Sequence, residues 1–108
     1  MANEFLMVLS TCADEDSADR LAMMLVEQGL AACVNILPGA RSVYRWQGGI
    51  ETADEQLLLI KTADSHYPAV EQAIRTHHPY ELPEVVAVPL TAGSKDYLSW
   101  LKTNLCEK

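Results

Sequence analysis

Apolar positions along this chain fall into two kinds of pattern, continuous short runs and runs with helical spacing, and their order predicts the fold. Residues 5–9 are almost wholly apolar, as expected of a central strand covered on both faces. Asp14, Glu15 and Asp16 then supply an N-cap and a negative first turn. Ala18, Leu21, Ala22, Leu25 and Val26 follow on one helical face, and Gly29 stands where a left-handed C′ residue belongs. Residues 31–37 read as a second strand, broken by a bulge or bend at Pro38-Gly39 and resuming from Ala40 to Trp46. Gln47-Gly48-Gly49 suits a three-residue hairpin loop. That loop sets Trp46 opposite Ile50, Arg45 opposite Glu51 and Arg41 opposite Glu55, so both arginines meet a carboxylate.

The third strand is polar over residues 51–56 and apolar over 57–60, so the hairpin tip is expected to project beyond the helices. A second helix starts at Asp64 or Ser65, tolerates Pro68 in its first turn and ends before Pro79. Tyr67, Val70, Ile74 and His77 share one of its faces. Residues 85–90 form a fourth strand whose Pro89 belongs at a sheet margin, and Ser94 caps a last helix bearing Tyr97, Leu98, Leu101 and Leu105. The order is the split βαβ arrangement, an α+β ferredoxin-like sandwich with a long bent β-hairpin arm and a C-terminal helix, in one domain over residues 1–108.

Two helices cover only one face of such a sheet, so its strands should alternate apolar and polar residues. Residues 6–9, 57–60 and 85–88 do not alternate. Each large aliphatic side chain left in water forfeits about 1.5–3 kcal/mol. The last helix is too short to hide them all, and self-association through the sheets is the better account.

Composition narrows the chemistry. The chain is 49% apolar and 21% charged, a globular profile, and at 6% aromatic its core must be built from Leu, Val, Ala and Met. A net charge of −7 with no basic cluster excludes nucleic acid as a partner. No apolar run approaches the roughly 20 residues of a membrane helix. The first nine residues lack the basic flank and apolar length of a signal peptide. Cys12, Cys33 and Cys106 make an odd set without CxxC spacing, against a disulfide framework or a structural zinc site. A cytoplasmic location is the expectation. Cys33 between Ala32 and Val34 reads as a buried inert thiol, and Cys106 as a surface one.

The pair His77-His78 is the most ligand-like feature, because imidazole suits copper, zinc and nickel. Adjacent helical residues point about 100° apart, so both reach one ion only if the helix frays before Pro79. The bland alternative makes His77 a core-edge residue and His78 a cation at the negative helix end. Asp14, Glu15 and Asp16 lack the glycine and distal glutamate of a calcium loop, and capping explains them. No Ser-His-Asp set, Walker loop, GxGxxG or HExxH occurs, so a non-enzymatic protein is expected.

The segments LSTCADED, AACVNILPGARSVYRW and HHPYELPE resemble the CutA divalent-cation-tolerance family, a likeness running from about Leu6 to Leu101. The resemblance implies a homotrimer shaped like the PII signalling proteins, its hairpin arms engaged between subunits, with a role in tolerance of copper and other divalent ions. It further implies a copper site made of the histidine pair and a cysteine ending the first strand. Ser10 is the nearest match to that position, and Cys12, two residues on and pointing the same way, substitutes for it in this reading. The metal-site candidates are therefore His77, His78 and Cys12. The alternative is a PII-like sensor whose inter-subunit clefts hold a small ligand against Trp46, Lys61, Tyr80 and Glu84.

Overall fold

The computed structural model describes residues 4–107. Strand β1 (Phe5–Cys12) leads to helix α1 (Glu15–Glu27), the hairpin β2 (Cys33–Trp46) and β3 (Gly49–Ala63), a 3-10 turn at Asp64–His66, helix α2 (Tyr67–His77), strand β4 (Val86–Pro89) and helix α3 (Lys95–Thr103). The antiparallel sheet has the order β2-β3-β1-β4, which is the expected split βαβ topology. β1 runs three residues past its expected end because each pairs with β3, Cys12 lying opposite Gln56.

Local chemistry accounts for the boundaries. Asp14 caps α1 by accepting the Ser17 N–H at 2.7 Å, a bond that holds its carboxyl below the usual carboxylate range. Ser94 caps α3 by accepting the Tyr97 N–H at 3.1 Å. Pro68 occupies the first turn of α2, where its missing N–H is harmless. Pro89 sits on β4, an edge strand.

The hairpin corrects the expected register by one residue. Its loop is the two-residue Gln47-Gly48, both with positive φ (49° and 83°), as a type I′ turn requires. Trp46 therefore pairs with Gly49, Arg45 with Ile50 and Arg41 with Asp54, while Ala40 rather than Arg41 faces Glu55. The bulge between Leu37 and Ala40 sets two residues, Pro38 and Gly39, against the single Gln56. A preference of about 0.2–1 kcal/mol per charged pair was too small to choose the alignment; the turn geometry chose it. The arm stretches the subunit to 44 × 27 × 23 Å.

Val8, Cys12, Leu58 and Ile60 pack against Leu21, Leu25, Val70 and Ile74 of α1 and α2 as the main core. The opposite sheet face is apolar and largely open. Cross-strand rows run Val86–Leu9–Leu59 and Val88–Met7, with Leu57 and Leu37 paired beyond them, and Leu37, Val86 and Val88 are 43%, 52% and 42% exposed. α3 seals one end only, packing Leu101 on Phe5, Ala32 and Ala63.

A clasp fixes the chain beyond α3. Buried His66 donates from Nε2 to the Cys106 carbonyl at 2.6 Å, and its Nδ1 accepts the Ser65 hydroxyl at 2.9 Å. The Cys106 N–H donates to the Gly29 carbonyl at 2.9 Å. Cys106 thus has a structural part that its sequence position did not suggest. Cys33 is half-buried on the open face opposite Lys61, not enclosed as expected.

Candidate functional site

The two histidines part company at Pro79. A residue before proline is pushed out of the helical region, and His78 accordingly has φ −74° and ψ 137°. The turn leaves His77 exposed at the end of α2 and drives His78 inward, to 7% exposure. His77 does not join the Val70–Ile74 face, because the helix ends on it.

Both ring nitrogens of His78 are engaged. Nε2 lies 2.6 Å from the Thr11 carbonyl, which can only accept, so Nε2 carries the proton. Nδ1 accepts the Tyr80 N–H at 3.0 Å, and the two rings lie 4.6 Å apart. The Cys12 Sγ sits 3.6 Å from Nε2. Burial pushes the Cys12 thiol up to about 11, helped by the nearby Asp14 and Glu55 carboxylates, so it is protonated at neutral pH.

Cys12, His77 and His78 nevertheless line one cavity of about 210 Å³, together with Arg20, Leu21 and Met24. The structure brings the three metal candidates together. It does not bring three ligating groups close enough to hold an ion, among the described residues. Ser10 is absent from the cavity lining; it is fully buried against the helices, and its Oγ has no partner among the described residues. Cys12 is therefore the strand-end residue that faces the histidines.

A second site lies on the other side of Tyr80. Ser42, Tyr44 and Trp46 alternate along β2 onto the face that carries Glu55, and with the loop 80–84 they enclose a cleft of about 720 Å³. Trp46, Tyr80 and Glu84, expected in a cleft between subunits, line this one within a single chain. Lys61 does not: it stands six residues along β3 from Glu55, about 20 Å away in an extended strand. Its Nζ donates to Asn35 Oδ1 at 2.8 Å and lies 5.8 Å from the Tyr97 ring.

Glu55, assigned to Arg41 by the mistaken register, organises this cleft. The Tyr80 hydroxyl donates to its Oε2 at 2.6 Å. Burial alone would raise the carboxyl, but the nearby Ser42 hydroxyl, the bond from Tyr80 and the Thr11 hydroxyl outweigh that and bring it below its ordinary value of 4.5. Tyr80 is pushed upward by burial and by its bond to Glu55. One sequence signal pointed to Glu55: it is the last acidic residue of β3, two residues before the apolar run.

A carboxyl with a lowered native value stabilises the fold fully above its ordinary value, and that contribution disappears as pH falls through the native one. Urea midpoints of the parent chain should therefore drop as pH falls below the ordinary carboxyl value of 4.5, and a Glu55→Gln variant should lack that component. Equal pH dependence in the two proteins would count against an ionised, hydrogen-bonded Glu55.

Comparison with known proteins adds identity to this geometry. The family model described as CutA1 divalent ion tolerance protein matches residues 6–104. The divalent-cation tolerance protein CutA of Thermus thermophilus is 46% identical over 97 residues, covering 90% of this chain and 94% of that protein. The crystal structure of CutA1 from the psychrotrophic bacterium Shewanella sp. SIB1 superposes with a TM-score of 0.95 at 42% identity, covering 99% of this chain and 100% of that one. A structure described as the periplasmic divalent cation tolerance protein CutA of Archaeoglobus fulgidus gives 0.90 at 33% identity, covering 93% and 97%.

Proposed function

The chain belongs to the CutA1 divalent ion tolerance family, and on that premise we propose that it is a non-catalytic homotrimer that takes up copper or another divalent ion. The observation that carries the metal reading is the convergence of Cys12, His77 and His78 on one cavity. Within one chain the donor set is incomplete, since a closed site wants about four ligands. The Thr11 carbonyl already holds the Nε2 proton of His78. An ion must displace protons to enter, and His77 at the mouth is the donor open to it without rearrangement.

The uncovered sheet face supports self-association, and the buried, protonated Cys12 thiol supports a protein without a cysteine nucleophile. Three free cysteines fit a reducing cytoplasm, although the archaeal relative is described as periplasmic.

Copper titration is expected to give about one ion per chain. A thiol at about 11 is ionised in roughly one molecule in ten thousand at pH 7. Affinity should therefore rise about tenfold per pH unit from pH 6 to 9 for the one proton that Cys12 releases. Unchanged stoichiometry in a His77→Ala/His78→Ala double variant would end the metal reading. A second reading, a PII-like trimer that senses a small ligand, is favoured by the 720 Å³ cleft with Trp46, Tyr80 and Glu84 in its walls.

A further inference from the structure

We infer that the cleft between the hairpin arm and the 80–84 loop binds an organic cation of the alkylammonium class. The inference deepens the small-ligand reading and rests on it; it is independent of the metal cavity. Its volume, about 720 Å³, falls in the range of small-molecule sites.

The walls are of two kinds, and both favour positive charge. One is aromatic: Tyr44 and Trp46 stand two residues apart on the same face of β2, partly exposed, and Tyr80 closes the inner end with its ring packed on His78. Aromatic faces attract cations through the ring quadrupole, most strongly where water is excluded. The other is acidic: Glu55 at the base, and Glu81 and Glu84 in the loop. Arg45 is the one cationic side chain that a single chain contributes to the lining, against its three carboxylates. An organic anion or a nucleotide would meet net repulsion here.

The chemistry of Glu55 adds a directed contact. A carboxylate offers about four acceptor positions, and the Tyr80 hydroxyl occupies one of them at 2.6 Å. Room is left for a ligand N–H. The surrounding hydroxyls keep Glu55 ionised while it is 7% exposed, so its charge is held close to a shielded base rather than dispersed in solvent. An alkylammonium is large enough to touch the aromatic wall and Glu55 at once.

Three probes with the same four-carbon chain separate the possibilities: n-butylammonium, 1-butanol and butyrate, titrated at constant ionic strength. Trp46 reports binding by its fluorescence in a Trp100→Phe background, since Trp100 lies on α3 outside the cleft. The expected result is a saturable emission change with n-butylammonium at a concentration at least tenfold below that for either other probe. Glu55→Gln should weaken it a further tenfold or more, and the exposed Glu84→Gln, which does not threaten folding, about threefold. Binding led by butyrate or 1-butanol, or left unchanged by both glutamate variants, overturns the cation assignment while leaving a ligand cleft. No saturable response to any probe removes the cleft reading as well.

Discussion

Leu59→Asp is expected to yield a folded single chain that no longer self-associates. Leu59 lies at the centre of the open face, between Leu9 on β1 and Asn35 on β2, and takes no part in the core beneath α1 and α2. In the isolated subunit its side chain is only half-buried, so an aspartate there keeps access to water. Once that face is covered, the same carboxylate loses its hydration, with Leu9 on one side and, on the other, Asn35, whose Oδ1 already holds the Lys61 ammonium. An uncompensated buried charge costs several kcal/mol, and each 1.4 kcal/mol is a factor of ten in association. Weakening of about a thousandfold or more follows. Sedimentation velocity at micromolar concentration checks it, with far-UV circular dichroism confirming the fold. A variant that sediments like its parent would show that another surface joins the subunits.

Gly29→Ala should produce the largest loss of stability for the smallest change in volume. Gly29 ends α1 at φ +69°, a conformation that costs an L-residue about 1–2 kcal/mol. A Cβ built there would come 2.8 Å from both the N and the Cβ of Cys106, closer than real atoms approach. The backbone must shift, and the Cys106 N–H bond to the Gly29 carbonyl goes with it, worth about 0.5–1.5 kcal/mol. The sum is about 1.5–3.5 kcal/mol, or roughly 6–28 °C in Tm for a domain of this size. Gly39→Ala is the control: its φ is +84°, but no atom lies within 4 Å of the added methyl. Thermal melts of both, in the Leu59→Asp background to keep assembly out of the transition, should differ by the clash alone. Equal melts would mean that the segment around Cys106 yields freely.

Elements set by local signals were legible in the sequence. Asp14, Ser94, Pro68 and Pro79 act where they stand, through one or two neighbouring backbone groups, and each bounds the helix expected of it. The unalternating strands disclosed the open face for the same reason, since pleat geometry depends only on parity. The hairpin register was not legible. Gln47 adopts a left-handed conformation rare for its type, and Gly49 offered a plausible third loop residue. The charge pairs that favoured the wrong alignment were weaker than the turn that decided it. That single-residue slip concealed Glu55, which belongs with Ser42, Thr11 and Tyr80 rather than with Arg41. The site suffered most because its parts come from β1, β2, β3 and the segment after α2, and no local pattern relates them. The histidine pair was visible, but not that Pro79 would point its members in different directions.

Tyr80 is held at both ends: its amide by His78, on the thiol side, and its hydroxyl by Glu55, on the aromatic side. The two compartments consequently share a wall that neither can move alone. An occupant that drew the imidazole from its present seat would strain the phenol's bond to Glu55, and by reciprocity a guest that displaced the carboxylate would disturb the imidazole by the same factor. The partition between the two hollows is thus a single side chain.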